Sequence, residues 1–83
     1  MRVTVRLFAR LRDLTGAGEL VRELPDAATV GDLWELLTIE WPALRDYEKT
    51  MSVAVNTDYS RMGEAVKDGD EVAFLPPVSG GSQ

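Results

Sequence analysis

Apolar and polar residues alternate in two segments near opposite ends of the chain. The first is RVTVRLF, residues 2–8, and the second is EVAFL, residues 71–75. An apolar side chain at every second position predicts a β-strand with one face buried in the protein core. Three further apolar residues, Phe8, Ala73 and Leu75, are predicted on the opposite faces of these strands, away from the core.

The middle of the chain predicts two more strands and one main helix. The strands are ELVREL, residues 19–24, and MSVAVN, residues 51–56. Between them, Thr29 is a suitable N-cap, and Asp32 lies where a capping box places its acidic residue. The helix should extend to about Trp41 and bury one face, on which apolar residues follow the helical spacing. The residues on that face are Val30, Leu33, Leu36 and Leu37.

Glycine and proline mark the chain reversals between these elements. Gly16 and Gly18 follow a short helical turn and are expected to adopt the positive φ that reverses the chain. The order β-β-α-β-β predicts an α+β roll with a mixed sheet of four to five strands and one main helix. The first and last strands are expected to be central, parallel neighbours. We assign residues 1–75 to this domain and residues 76–83 to an extended, flexible tail that begins with two prolines.

The composition narrows the possible functions. The 83 residues predict one domain, and they include neither cysteine nor histidine, so the commonest zinc ligands and the usual hydrolytic base are missing. The chain is therefore not expected to be an enzyme on its own, nor to bind a metal. A net charge of -5 argues against nucleic-acid binding and favours a protein partner. The lack of an apolar leader, or of a run near the ~20 residues that span a bilayer, predicts a cytoplasmic protein without membrane contact.

Two motifs carry a resemblance that covers almost the whole chain. They are LFARLRDLTG, residues 7–16, and DGDEVAFLPPVSGG, residues 68–81. Both closely resemble the MoaD/ThiS family of ubiquitin-like sulfur carriers, in particular its branch of molybdopterin synthase small subunits. The resemblance implies a β-grasp fold, no bound cofactor, and a reactive terminus at Gly81.

The resemblance further implies a reaction sequence that depends on partner proteins. An adenylyltransferase of the ubiquitin-activating type (MoeB-like) uses ATP to adenylate the carboxylate of Gly81, and sulfur then converts that group to a thiocarboxylate. The large subunit of molybdopterin synthase (MoaE-like) accepts the tail and transfers the sulfur to cyclic pyranopterin monophosphate. ATP is thus a substrate of the activating enzyme and not a cofactor of this chain.

The tail sequence suits such a role physically. Six residues lead from Leu75 to Gly81, and they span roughly 20 Å when extended. Gly80 and Gly81 carry no side chain that blocks a narrow channel, and they adopt any φ that a partner requires. On its own, SGGS is typical of a disordered linker. The preceding Pro-Pro stretch and the whole-chain resemblance favour the carrier function.

A group of apolar residues around the tail is predicted to bind partners. Phe8, Ala54, Ala73 and Leu75 should project from the helix-free face of the sheet, with Tyr59 nearby. Isolated apolar residues are common on protein surfaces, but together these residues can form a contiguous partner-binding patch. The predicted partner-binding residues are Phe8, Tyr59, Ala73, Leu75, Pro76, Pro77 and Val78.

Other aromatic and basic residues are expected to have structural roles. Trp34 and Trp41 should pack in the core or along its flank, because both belong to the predicted helix. Arg6, Arg10 and Arg12 could contact a partner, but ion pairs with the numerous surface carboxylates of this acidic chain are the favoured expectation. Neither group is needed to explain the carrier chemistry.

The last two residues depart from the family pattern, in which the chain ends at the second glycine. Ser82 and Gln83 place the terminal carboxylate about 7 Å beyond Gly81, so a peptidase is expected to trim the chain unless both residues are artefacts. Two alternatives stay open. The same carrier chemistry could serve thiamine synthesis, tRNA thiolation or cysteine synthesis, or the chain could be a non-covalent ubiquitin-like binding module.

Overall fold

Residues 1–77 of the chain are described by a computed structural model. The strands are β1 (Arg2–Leu7), β2 (Glu19–Glu23), β3 (Ser52–Val55), β4 (Asp58–Ser60) and β5 (Glu71–Leu75). The helices are α1 (Ala9–Thr15), α2 (Val30–Glu40) and a 3₁₀ helix (Pro42–Tyr47). All four strands that alternation predicted are present, and so is the main helix. In this part of the chain, no helix has the length and apolar character needed to cross a membrane.

The strands form one mixed sheet in the order β2-β1-β5-β3-β4. The central strands β1 and β5 run parallel, with Leu7 opposite Phe74. The other three pairs, β1 with β2, β3 with β5 and β3 with β4, are antiparallel. This arrangement confirms the predicted α+β roll and its central parallel pair. Because parallel strands end at the same edge of a sheet, Phe8 and Pro76 leave the sheet at one edge.

The core lies between α2 and one face of the sheet. Val5 and Phe74 of the central strands are fully buried, because their strand positions alternate with those of the open face. The ring of Trp34 in α2 lies against Phe74, with the ring centroids 5.0 Å apart. The indole Nε1 of Trp34 donates a hydrogen bond of 3.0 Å to Glu48, so this polar atom is satisfied. Trp34 is therefore a core residue, and Trp41 packs at the flank of the same core, as the sequence predicted.

The main helix begins with the predicted capping box. Thr29 Oγ1 accepts a hydrogen bond of 3.1 Å from the Asp32 N–H, and Asp32 Oδ2 accepts one of 2.9 Å from the Thr29 N–H. The prediction that Leu36 is buried is wrong, because this side chain is 39% exposed. At about 100° per residue, Leu36 lies about 120° around the helix from Val30. Trp34, much nearer the centre of the buried face, fills the core instead.

Three connecting segments differ from the sequence expectation. β4 adds a fifth strand in a segment predicted only as a turn, and the 3₁₀ helix buries Leu44 completely. Gly16 adopts the predicted left-handed backbone, with φ of 75°, but Gly18 does not. A Cβ on Gly18 would lie 3.0 Å from Cδ of Arg12. Position 18 therefore packs against the Arg12 side chain and does not reverse the chain through a left-handed backbone.

Candidate partner-binding face and tail exit

The sheet face opposite α2 carries a groove beside the end of β5, with a volume of about 280 Å³. The apolar residues that line this groove are Phe8, Ala54, Tyr59, Ala73 and Leu75. They come from four separate segments, and strand alternation turns them away from the core. The structure thus brings together four of the predicted partner-binding residues, and Ala54 with them. We call this groove and its lining the partner face.

The aromatic side chains of the partner face are accessible to another molecule. Tyr59 is 85% exposed and Phe8 is 38% exposed. Ala73 and Leu75 are half-buried between them and form the floor. Exposed aromatic rings around an apolar floor are typical of interaction surfaces, since such rings bury a large area on binding.

A second groove follows the first residues of the tail and has a volume of about 350 Å³. The residues that line it are Thr50, Ser52, Tyr59, Leu75, Pro76 and Pro77. Tyr59 and Leu75 line both grooves, so the start of the tail continues the partner face. Val78, Gly80 and Gly81, which the sequence also assigns to the site, lie outside the described residues.

Arg6 forms a charged border on the partner face. Its Nη1 donates a hydrogen bond of 3.2 Å to Glu71 Oε2, and its Nε lies 3.8 Å from Glu19 Oε1. The guanidinium carbon also lies 5.6 Å from the ring centroid of Phe8, within the range of a cation–π contact. The predicted ion pairing of Arg6 is confirmed, and the same contacts restrict the position of the Phe8 ring.

Three other arginines near the N-terminus, Arg2, Arg10 and Arg12, differ in whether they pair with a carboxylate. Arg2 donates a hydrogen bond of 2.9 Å to Glu23, and this bond, followed by the charge of Glu23, raises the pKa of Arg2. The prediction of ion pairs for Arg10 and Arg12 is wrong within residues 1–77, where neither has a carboxylate partner. The Arg12 stem lies against Gly18 instead.

The turn between β3 and β4 borders the partner face and has an unusual backbone. Asn56 and Thr57 have φ values of 50° and 74°, both in the left-handed region that a tight two-residue hairpin turn requires. Asparagine tolerates this region, but a β-branched threonine is a true outlier there. Thr57 also lines the groove of the partner face.

Sequence reasoning assigned no site role to Thr57 or Glu71. A signal for Thr57 was present, because Asn-Thr occupies a turn where Asn-Gly is the favoured hairpin sequence. The contact of Glu71 with Arg6 depends on the pairing of β1 with β5, which are far apart in the chain. The sequence around either residue therefore carries no signal for this contact. The assembled face therefore offers an apolar binding surface bordered by the ion pairs of Arg6 with Glu19 and Glu71.

The mixed sheet has one main helix on its inner face, an open outer face and the C-terminal strand in its centre. This arrangement defines a ubiquitin-like β-grasp protein. Residues 5–81 match the family model described as the ThiS family. The chain therefore belongs to the ThiS family, and this confirms the resemblance found in its two motifs.

Individual relatives match the chain in sequence or in structure over nearly its full length. The chain is 43% identical over 83 residues to the molybdopterin synthase sulfur carrier subunit of Chlamydomonas reinhardtii, covering 98% of this chain and 100% of the relative. The crystal structure of SAMP1 from Haloferax volcanii superposes with a TM-score of 0.84 at 32% identity and covers 98% of this chain and 100% of SAMP1. The putative molybdopterin converting factor subunit 1 from Pyrococcus furiosus gives a TM-score of 0.83 at 36% identity, with 93% and 98% covered.

Proposed function

We propose that this chain is a sulfur carrier of molybdopterin synthesis and that Gly81 is its reactive terminus. The observation that carries the proposal is the position of β5, a central strand that ends beside the partner face. A tail that leaves from this place can enter a partner while the partner grips the apolar groove next to it. Family membership and the similarity to a sulfur carrier subunit support the same function.

The proposed chemistry takes place at the tail carboxylate. An oxygen of the Gly81 carboxylate attacks the α-phosphate of ATP in the activating enzyme and displaces pyrophosphate, which gives an acyl adenylate. Hydrosulfide supplied by a partner then attacks the acyl carbon, displaces AMP and loses its proton. The sulfur of the resulting thiocarboxylate bonds to cyclic pyranopterin monophosphate held by the large synthase subunit, and water then cleaves the acyl–sulfur bond and restores the Gly81 carboxylate. This chain supplies the acyl group and the recognition surface.

The partner face has the composition that this division of labour requires. Phe8 and Tyr59 supply exposed aromatic surface, and Leu75 joins the groove to the tail. The activating enzyme and the large subunit both need the same tail, and the tail leaves from one place. We therefore propose that the two partners bind this face one at a time. A peptidase removes Ser82 and Gln83 before the first activation.

Pyrophosphate release and intact mass test the proposal directly. A chain ending at Gly81, mixed with the activating enzyme, ATP and a sulfur source, should release pyrophosphate and exchange one oxygen for sulfur. The full 1–83 chain should do neither. A chain ending at Gly80 is the matched control, since it also ends in glycine but is one residue shorter, and it should be activated poorly. Equal activity of the 1–81 and 1–83 chains would contradict Gly81 as the acyl terminus.

The same preparation separates the alternative functions. Formation of molybdopterin from the charged chain, the large subunit and cyclic pyranopterin monophosphate supports the proposed acceptor. A charged chain that gives no sulfur in this assay would point to thiamine, tRNA or cysteine as the destination. A chain that no activating enzyme charges, in any form, would favour the non-covalent binding module.

A further inference from the structure

The turn at Asn56 and Thr57 combines backbone strain with a position on the partner face. Glycine adopts the left-handed backbone of the second turn position without steric conflict. Threonine at that position is strained, because its branched Cβ crowds the neighbouring backbone at a φ of 74°. Strain of this kind persists where the surrounding structure holds it in place, and it clusters at functional sites.

A set of hydrogen bonds holds the turn against the centre of the sheet. The Asn56 side chain donates to Asp70 Oδ1 and accepts from the Glu71 N–H, each at 2.9 Å. Asp70 is fixed in turn, because its Oδ2 accepts from the Lys67 N–H at 2.8 Å and its carbonyl accepts from the Thr4 N–H at 2.9 Å. The tip of the edge hairpin is therefore tied to the start of the central strand β5. We call these contacts of Asn56 and Asp70 the Asn56 clamp.

We propose that Thr57 is a recognition residue for the large synthase subunit, held in place by the Asn56 clamp. This inference rests on the proposed function. Thr57 lines the groove of the partner face together with Tyr59 and Leu75, and its methyl and hydroxyl groups supply contacts that glycine lacks. The clamp holds the backbone of the turn at Asn56, and a turn already ordered in the free protein loses less conformational entropy when the partner binds. The strained threonine is thus explained by binding, because fold stability alone favours glycine at this position.

Ala27 offers a matched control within the same chain. It is also a non-glycine residue with a left-handed backbone, with φ of 68°. Its turn is closed by a hydrogen bond of 3.2 Å from the Ala28 N–H to the Pro25 carbonyl, between β2 and α2. Ala27 does not line the partner face. Ala27→Gly therefore relieves the same kind of strain without changing the groove.

The test compares Thr57→Gly and Ala27→Gly with the parent, each as the full chain and as the chain ending at Gly81. We expect both variants to melt at or above the parent temperature, because relief of strain offsets the added freedom of glycine in the unfolded chain. Affinity for the large subunit, measured by titration calorimetry, should fall about tenfold for Thr57→Gly, since recognition contacts contribute on this scale. It should not change for Ala27→Gly. A lower affinity together with an equal or higher melting temperature is a combination that a purely structural role does not produce.

Two outcomes overturn the inference while the proposed function stands. One is a Thr57→Gly variant that binds the large subunit as tightly as the parent. The other is an equal loss of affinity in Ala27→Gly, which would assign the effect to altered stability in general. If the parent itself does not bind the large subunit in this assay, the inference and the proposed partner fail together.

Discussion

Leu75 is the residue at which the domain and the tail meet. It ends β5, it is half-buried, and it lines both grooves. Because its side chain points away from the core, Leu75→Asp should leave the fold nearly intact. The same change should weaken binding to the large subunit, since loss of an apolar anchor at an interface commonly costs ~2 kcal/mol or more. Titration calorimetry gives the affinity, and thermal unfolding gives the stability.

Ile39→Asp is the control for this substitution. Ile39 is 70% exposed on α2, on the side of the sheet away from the partner face, so the same loss of apolar surface should leave binding unchanged. If Leu75→Asp instead unfolds the domain, Leu75 has been assigned to the wrong face of its strand.

Gly80 lies outside the described residues, and its role is argued from the sequence. A Cβ at this position narrows the allowed φ range and thickens the tail where it should lie deepest in a partner's channel. In chains ending at Gly81, Gly80→Ala should lower the rate of sulfur transfer by on the order of a hundredfold, because small misplacements at a reacting carbon have effects of that size. Gly80→Trp should be slower still. Both variants should melt at the parent temperature.

Gly63→Ala is the matched control for the tail variants. A Cβ on Gly63 meets no atom within 4 Å, so this variant should transfer sulfur at the parent rate. Sulfur transfer by Gly80→Trp at the rate of the parent would show that the tail glycines have no role in the reaction. It would favour the binding-module hypothesis.

At the level of single elements, the loss of the capping box of α2 is the change most easily measured. Thr29→Ala removes the side-chain acceptor for the Asp32 N–H at the start of α2, and loss of such a cap costs ~1 kcal/mol. For a domain of this size, that corresponds to a melting temperature lower by about 4–8 °C. Thermal unfolding followed by circular dichroism measures the shift. Thr50→Ala, at an exposed loop threonine, should change it much less, and an equal loss in both would argue against the cap.

The sequence predicted those strands in which the alternation of apolar and polar residues repeats several times. Alternation over five or more residues located β1 and β5, and the cap located the start of α2. β4 has three residues, Asp58–Ser60, too few for a period to be recognised. The 3₁₀ helix begins at Pro42 and is held by burial of Leu44, which is a tertiary contact. Leu36 was misassigned because leucine spacing alone ignores the bulk of Trp34.

At the scale of the whole molecule, the sequence predicted which face of the sheet each residue of the candidate site occupies. It did not predict which of these side chains contact one another. Period two in the strands placed Phe8, Ala73 and Leu75 on one side of the sheet, and the family resemblance identified the tail. The pair of Arg6 with Glu71 and the hydrogen bonds of Asn56 with Asp70 and Glu71 arise only when distant segments meet. Such contacts depend on strand order and register, which local sequence does not encode.

The parallel pairing of β1 with β5 also determines how the domain bears a mechanical load. The start of β1 and the tail lie at opposite ends of this pair, so a pull between them loads the inter-strand hydrogen bonds together, in shear. A pull between residues 51 and 61 instead peels β4 from β3 one bond at a time. The chain has no cysteine, so introduced cysteine pairs give unique handles for optical tweezers. We expect the first geometry to rupture at the higher force, and equal forces would contradict this. A load applied between the tail and the start of β1 therefore meets the more resistant of these two directions.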